Sequence, residues 1–120
     1  MEGRGPERLL ELAYGNHPKK SRLKQEGFRL IQLLRDGPKT KEEICETLSI
    51  DLGRAGGRKH FYLLLRPLRE KGMVAVSRVQ GKKLYHLSLD GFNVYWRETK
   101  KEAEYWLTEK EKTGEKEIER

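Results

Sequence analysis

The sequence has few of the features that stabilise secreted proteins or hold a chain in a membrane. Its 120 residues include one cysteine, Cys45, which excludes an internal disulfide and is typical of a reducing compartment. No apolar run approaches the roughly 20 residues that span a bilayer, and the N-terminus lacks the apolar region of a secretory signal. We therefore expect an intracellular, cytoplasmic protein with no membrane partner.

Residue patterns typical of enzymes are also missing. The histidines at 17, 60 and 86 are scattered and have no cysteine or carboxylate at metal-ligand spacing. The sequence has no glycine-rich phosphate loop followed by Lys-Ser or Lys-Thr, and no serine in a nucleophile-elbow pattern. Cys45 lies among apolar residues without a nearby base, which favours an inert core thiol. We expect a protein that is not an enzyme and needs neither a cofactor nor a metal ion.

Asparagine and glutamine are scarce, whereas lysine, arginine and glutamate are abundant. This bias is seen in proteins from hyperthermophiles, so the composition indicates a thermophilic source. Charged residues make up 38% of the chain and hydrophobic residues 35%. These proportions predict one domain with a modest core beneath a highly charged surface.

Positive charge is concentrated in one quarter of the chain, residues 54–83. This segment carries nine basic residues and one acidic residue, a net charge of +8, whereas the whole chain carries +7. The rest of the chain is therefore close to neutral. A positive excess confined in this way indicates a surface for a polyanion, and nucleic acid is the leading candidate. The alternative is a solvated basic face with no partner.

Hydrophobic periodicity predicts two helices ahead of this segment. The first covers residues 21–36 and ends at Gly37-Pro38; its apolar residues Leu23, Phe28, Ile31 and Leu34 lie on or near one face, widened by Leu30. Gly27 weakens this helix or marks a close helix crossing. The second begins with a Thr40–Glu43 capping box and runs to about Ser49. Its inward residues are Ile44, Cys45 and Leu48.

The basic segment itself predicts a helix followed by a hairpin. The apolar stripe of the helix consists of Phe61, Leu64, Leu65 and Leu68. Pro67 should kink this helix or shorten its regular part, and Gly72 should close it. Gly56 and Gly57 precede it, either as a flexible turn or as backbone that approaches a phosphate closely. Two β-like runs follow, joined by a Gln80-Gly81 turn.

These motifs resemble the winged helix-turn-helix transcription regulators of archaea and bacteria. The resemblance covers about residues 27–91 and rests on TKEEICETLSI, HFYLLLRPLREKGMVAV and the basic hairpin. It is similar to the MarR- and ArsR-like groups and to small archaeal winged-helix DNA-binding proteins. The resemblance implies a mostly α fold with a small β-hairpin, and N- and C-terminal accessory helices around the winged helix-turn-helix.

The expected domain plan has four parts. An N-terminal extension with a short helix covers residues 1–20, and the winged helix-turn-helix covers 21–91. We expect the extension to pack against the C-terminal helix or a second subunit, or to fray. A C-terminal dimerisation helix covers 92–108, and a charged flexible tail covers 109–120.

The resemblance implies that the basic helix enters the major groove of double-stranded DNA, where residues near its N-terminus touch base edges. Arg58, Lys59 and Tyr62 are the best-placed candidates for base contacts, with Arg66 one turn later. Arg54 is better suited to a phosphate. The hairpin should contact phosphates or the adjacent minor groove through Arg78, Lys82 and Lys83. A protein with these contacts would be nucleoid-associated.

Aromatic residues recur at heptad-like spacing near the C-terminus, after Asp90, which could cap this helix. We call this set the aromatic stripe; it consists of Phe92, Trp96, Thr99, Ala103, Trp106 and Lys110, with Tyr95 beside it. A stripe this rich in aromatics favours a homodimer interface. The alternative is packing onto the first helix of the same chain.

Two other functions stay open, an architectural DNA-coating protein and a winged-helix protein-interaction module.

Overall fold

The computed structural model describes residues 5–109. This part of the chain forms five α-helices and one antiparallel hairpin, with a 3-10 turn at Pro18–Lys20. The order of elements is that of a winged helix-turn-helix with accessory helices α1 and α5, which confirms the expected fold class. The elements are α1 (Glu7–Tyr14), α2 (Ser21–Leu34), α3 (Lys41–Leu48), α4 (Ala55–Glu70), β1 (Val74–Val79), β2 (Lys82–Leu87) and α5 (Leu89–Leu107).

The inward face of α2 is centred on Leu30, which is completely buried. Gly27 and Leu34 lie on the same side of the helix, at the spacing of one helical face. Phe28 is 37% exposed, so the prediction that it belongs to the core face is wrong. The helical phase explains the difference, since Phe28 follows the buried Gly27 directly and points about 100° away from it.

Helix α1 packs against α2 and α4 of its own chain. Tyr14 is buried, and its hydroxyl donates a hydrogen bond of 2.5 Å to the backbone carbonyl of Leu64 in α4. The ring of Tyr14 lies so close to Gly27 that a Cβ at that position would be 2.5 Å from it. Gly27 therefore marks a close helix crossing, as its position suggested. Leu10 and Tyr14 complete the core, so α1 is docked on α2 and α4, and the expectations that it packs against the C-terminal helix or frays are wrong. Contact of α1 with a second subunit stays a prediction.

Helix α3 begins with the predicted capping box. The Thr40 hydroxyl accepts from the Glu43 amide at 3.1 Å, and the Glu43 carboxylate accepts from the Thr40 amide at 2.9 Å. Ser49 ends the helix in a left-handed conformation. Ile44, Cys45 and Leu48 are buried as predicted, so α3 lies with its inner side on the shared core.

Helix α4 buries the predicted stripe, with Phe61, Leu64, Leu65 and Leu68 at 6% exposure or less. Pro67 lies inside the helix, which nevertheless continues to Glu70. The expectation that Pro67 shortens the helix is therefore wrong. A proline this close to a C-terminus removes one backbone donor and leaves the last turn able to form. Gly72 follows with a φ of 73°, a left-handed conformation that favours glycine.

The hairpin is fastened to the helices along β2. Val74 pairs with Leu87 at its base and Val79 with Lys82 at its tip. Lys39, just before α3, adds a backbone bridge to Tyr85, with hydrogen bonds of 3.0 and 2.8 Å in the two directions. Tyr85 is buried, and its ring meets that of Phe61 edge to face. The hairpin is therefore held at a defined angle beside α4.

Helix α5 begins at Leu89 and is capped by Ser88, whose hydroxyl accepts from the Gly91 amide at 2.8 Å. The prediction that Asp90 is the cap is wrong, since Asp90 lies in the first turn. Gly72 and Gly91 approach so closely that a Cβ on Gly91 would be 2.5 Å from the Gly72 carbonyl oxygen. In the described part of the chain, no helix is long and apolar enough to cross a membrane.

Candidate nucleic-acid interface

The outer face of α4 carries cations because the inner face is used by the core. Lys59 and Arg66 lie roughly opposite the buried stripe, at about 100° of rotation per residue. Arg58 and Arg69 lie toward the hairpin side. All four side chains are exposed. Among residues 5–109, Lys59 has no acidic or hydrogen-bonding partner, which leaves its charge available to an external anion.

The turn between α3 and α4 is held by side chains that also carry charge. Arg58 donates from Nη1 to the Leu52 carbonyl at 3.0 Å. The Asp51 carboxylate accepts from the Gly53 amide at 2.9 Å, and it lies 3.6 Å from Arg54 Nε. Arg54 is the residue at the start of α4, and its side chain is 82% exposed. The turn thus presents two arginines at the N-terminal end of α4.

The two glycines in the first turn of α4 differ in surroundings. Both lie inside the helix, so the interpretation of Gly56 and Gly57 as a flexible turn before it is wrong. A Cβ on Gly57 would collide with the backbone carbonyl of Asp51, so this glycine allows α4 to pack on the preceding turn. A Cβ on Gly56 would meet nothing within 4 Å. Gly56 therefore has no packing reason to be glycine, and its backbone is open to an external group.

A groove separates α4 from the hairpin, with a volume of 770 Å³. We call it the basic groove, because five cations and one carboxylate line it together with aromatic and aliphatic side chains. Lys41 and Arg69 belong to this lining and were missed by the sequence analysis. Arg69 could have been found from its spacing of 11 residues from Arg58, which is three helical turns. The lining residues are Lys41, Arg58, Phe61, Tyr62, Leu65, Arg66, Arg69, Glu70, Lys83 and Tyr85.

Glu70 is the acidic member of this lining, and it binds Arg66. Arg66 Nε donates to Glu70 Oε2 at 2.6 Å. This hydrogen bond and the carboxylate charge raise the pKa of Arg66 above its usual value. The Arg66 guanidinium also lies 5.6 Å from the centre of the Tyr62 ring, which is 56% exposed. Both groups of the ion pair are about half exposed, so the pair contributes little to stability.

The hairpin tip carries the predicted basic residues on its exposed part. Arg78, Lys82 and Lys83 are all exposed, and Arg78 Nη1 donates to the Gly81 carbonyl at 3.4 Å. The pKa of Glu43 at the start of α3 is lowered, chiefly by the hydrogen bond from the Thr40 backbone and further by the charges of Lys39 and Lys82. Lys82 of the hairpin therefore lies near the start of α3, where Lys41 is accompanied by Glu42 and Glu43. We call the exposed cations of α4 and the hairpin tip, together with Lys41, the basic surface.

Two histidine side chains have hydrogen-bonding partners, and the cysteine lies in the core. His60 Nε2 lies 2.6 Å from the Glu26 carboxylate of α2, and His86 Nδ1 lies 3.2 Å from the Leu87 carbonyl. Cys45 is buried, and burial raises the pKa of its thiol. Within residues 5–109, no group of three or more histidine, cysteine or acidic side chains is arranged to hold a metal ion.

The aromatic stripe divides into a docked base and an exposed outer part. Phe92 packs against the core of its own chain and stacks on Trp96, and Tyr95 lies half-buried with Lys71 Nζ 5.5 Å from its ring centre. Trp96 is 53% exposed and Trp106 is 71% exposed. No residue of α5 is fully buried. Lys110 and most of the predicted flexible tail lie outside the described residues.

Comparisons with known proteins show likeness of shape at low sequence identity. No family model matches the sequence, and no curated protein matches it. The structure is similar to the reduced form of the transcriptional regulator YodB from B. subtilis, with 22% identity and a TM-score of 0.45 over 76% of this chain and 94% of that one.

A second similar structure is the homodimeric winged helix-turn-helix DNA-binding domain of Mb0332 from Mycobacterium bovis, described as a possible ArsR-family transcriptional regulator. It has 16% identity and a TM-score of 0.45, over 94% of this chain and 100% of that one. At these values neither likeness indicates what the present chain binds. The features of this winged helix-turn-helix that bear on function are its basic surface and its aromatic stripe.

Proposed function

We propose that the protein is a double-stranded DNA-binding transcription regulator that acts as a homodimer. The observation that carries the proposal is the basic surface made by the exposed cations of α4 and the hairpin tip, with Lys41 in the groove between them. Duplex DNA presents phosphates on both sides of a major groove that is wide enough to admit an α-helix. A cationic helix beside a cationic hairpin matches that arrangement of charge.

In this proposal α4 enters the major groove. Lys59 and Arg58 lie near its N-terminal end, where side chains of a recognition helix reach base edges. An arginine there can donate twice to guanine O6 and N7, a contact worth roughly 1–3 kcal/mol of discrimination. Tyr62 and Arg66 follow one turn later, and Gly56 lets the helix backbone approach the DNA.

The remaining cations serve the phosphates in this proposal. Arg54 lies before the first turn of α4, and Lys41 and Arg69 line the basic groove. The hairpin tip, with Arg78, Lys82 and Lys83, follows the strand beside the groove or enters the adjacent minor groove. Phosphate contacts set position and affinity without carrying sequence information.

We assign the outer part of α5 to dimerisation with a second copy of the chain. Trp96, Thr99, Ala103 and Trp106 lie at the 3- and 4-residue spacing that faces a partner helix. Exposed aromatics this large are costly on a solitary helix, because each buries 150–250 Å² when it finds a partner. Phe92 and Tyr95, which pack at the base of the helix, would orient it. A two-fold dimer predicts a palindromic site with half-sites about one helical turn apart.

Selection of bound duplexes from a random library at near-physiological salt tests this function. A palindromic motif is the expected result. Enrichment without a motif would replace the regulator with an architectural DNA-coating protein, which the same basic surface would serve. No enrichment would contradict DNA binding and favour a protein-interaction module.

A further inference from the structure

One apolar side chain stands on the outer face of α4, among the cations. Leu63 is 47% exposed, and it belongs neither to the core nor to the partly buried residues packed against it. It follows Lys59 by four residues and precedes Arg66 by three, so all three share one side of the helix. About half of a leucine side chain is therefore presented outward beside Lys59 and Arg66, on the side of α4 that faces away from the basic groove.

The surroundings of Leu63 define what could cover it. Tyr62 is adjacent and 56% exposed, and the Arg66 guanidinium holds the Tyr62 ring in a cation–π contact at 5.6 Å. Cations therefore bracket a small apolar strip along the helix. A partner that fits this pattern has anionic groups on its flanks and a small apolar group between them.

The major groove of DNA has that combination. Phosphates line its edges, and the floor exposes the C5-methyl group of thymine, which apolar side chains contact. The C5 position of cytosine lies in the same groove and presents the same methyl group when the base is 5-methylcytosine.

We propose that Leu63 contacts the C5-methyl group of a pyrimidine in the DNA site. The inference depends on the proposed function and extends it, because it adds a sequence-reading residue and names the atom that it reads. A methyl group buried against Leu63 is expected to raise affinity about fourfold, the equivalent of the ~0.8 kcal/mol gained for each buried CH₂. A leucine that is merely exposed, as many surface leucines are, would give no methyl dependence.

The experiment uses the full chain and the duplex recovered by selection. Each thymine in turn is replaced by uracil, which removes only the methyl group, and each cytosine by 5-methylcytosine, which adds one. Affinities are measured for the wild type, for Leu63→Ala, and for Leu9→Ala. Leu9 is 39% exposed on α1, so its variant removes the same atoms from the surface of a different helix.

We expect one position in each half-site at which uracil weakens binding of the wild type and of Leu9→Ala about fourfold, but leaves Leu63→Ala unchanged. If the contact is to 5-methylcytosine instead, methylation at one cytosine strengthens wild-type binding and not that of Leu63→Ala. Equal responses to every methyl change in wild type and Leu63→Ala would overturn the inference while DNA binding stands. If no duplex is bound at all, the proposed function and this inference both fail.

Discussion

Two surfaces stay exposed in the single chain: the basic surface of α3, α4 and the hairpin, and the outer part of the aromatic stripe on α5. The basic surface is built on fully packed elements, since α4 buries four apolar side chains and the hairpin is bridged to Lys39. Within the described residues, the stripe is docked at its base, through Phe92 and through Tyr95 beside it, next to the close Gly72–Gly91 contact.

The two surfaces differ in how well water stabilises their exposed side chains. Water and counterions stabilise exposed cations, so the basic surface can stay exposed when no partner is bound. Exposed tryptophans gain no such compensation and are stabilised by burial against another apolar surface. We infer that the basic surface binds its partner reversibly, whereas the stripe forms a permanent interface.

The largest expected effect comes from removing the cations at the N-terminal end of α4. Arg58→Ala combined with Lys59→Ala should weaken binding to the selected duplex on the order of 100-fold, from ~1.4 kcal/mol lost at each contact. Fluorescence anisotropy measures the change. Lys59→Ala alone is the cleaner variant, because Arg58 also supports the turn through Leu52.

The matched control removes two exposed cations elsewhere, with Arg35→Ala and Lys101→Ala. Those changes should lower affinity only through net charge. Retention of the full site preference by the Arg58 and Lys59 variants would contradict base reading by α4.

A charge introduced into the aromatic stripe should change the oligomeric state of the protein. Trp106→Glu is expected to convert a dimer of 14.1 kDa chains into monomers, since a charge would be buried in an apolar contact. Sedimentation velocity at micromolar concentration measures the mass. Val94→Glu is the control: Val94 is 49% exposed on the same helix, but it lies about 120° around the helix from Trp106.

If the wild type is a monomer, the proposed dimer is wrong, but the proposed role of α4 in DNA binding is not affected. Equal loss of dimer in both variants would place the interface off the stripe.

Neutralising Glu70 should strengthen the basic surface. Glu70→Gln removes the acidic group of the basic groove and frees Arg66 from its 2.6 Å ion pair. Duplex affinity should rise several-fold, and the slope of log K against log salt should steepen by about 0.9 if Arg66 then neutralises one more phosphate. The same change at Glu11 on α1 is the control; an equal gain there would show a general charge effect.

The smallest expected effect separates the two glycines of α4. Gly56→Ala should raise the free energy of unfolding by about 0.5–1 kcal/mol, because alanine costs less backbone entropy in a helix. Gly57→Ala should lower it by about 1–3 kcal/mol, because its methyl group collides with the Asp51 backbone. Urea unfolding measures both values.

Weaker duplex binding by the more stable Gly56→Ala variant would support close approach of DNA to this turn. Unchanged binding would remove Gly56 from the interface.

Sequence reasoning recovered features that depend on local pattern. The Thr40–Glu43 capping box, the buried stripe of α4 and the Gln80-Gly81 turn all follow from spacing and side-chain chemistry within a few residues. The fold class followed because these elements occur in a recognisable order.

Features set by tertiary contact were harder to predict. The contact of Tyr14 with Gly27 and with the Leu64 carbonyl joins three helices that are far apart in sequence. Gly56 and Gly57 are indistinguishable in sequence, yet only Gly57 touches the preceding turn. Lys41 was interpreted as part of a helix start, and its place in the basic groove depends on the hairpin that folds across from it.

Binding of duplex DNA to the basic surface should depend on salt concentration, because cations that neutralise phosphates release counterions. Binding of a duplex should be measured across a range of salt concentrations for the wild type and for Lys82→Ala combined with Lys83→Ala. We expect a steep linear fall of log K with log salt in the wild type, and in the variant a slope shallower by about 0.9 for each substituted lysine that contacts a phosphate. A flat dependence, or a steep one that the hairpin substitutions leave unchanged, would contradict it.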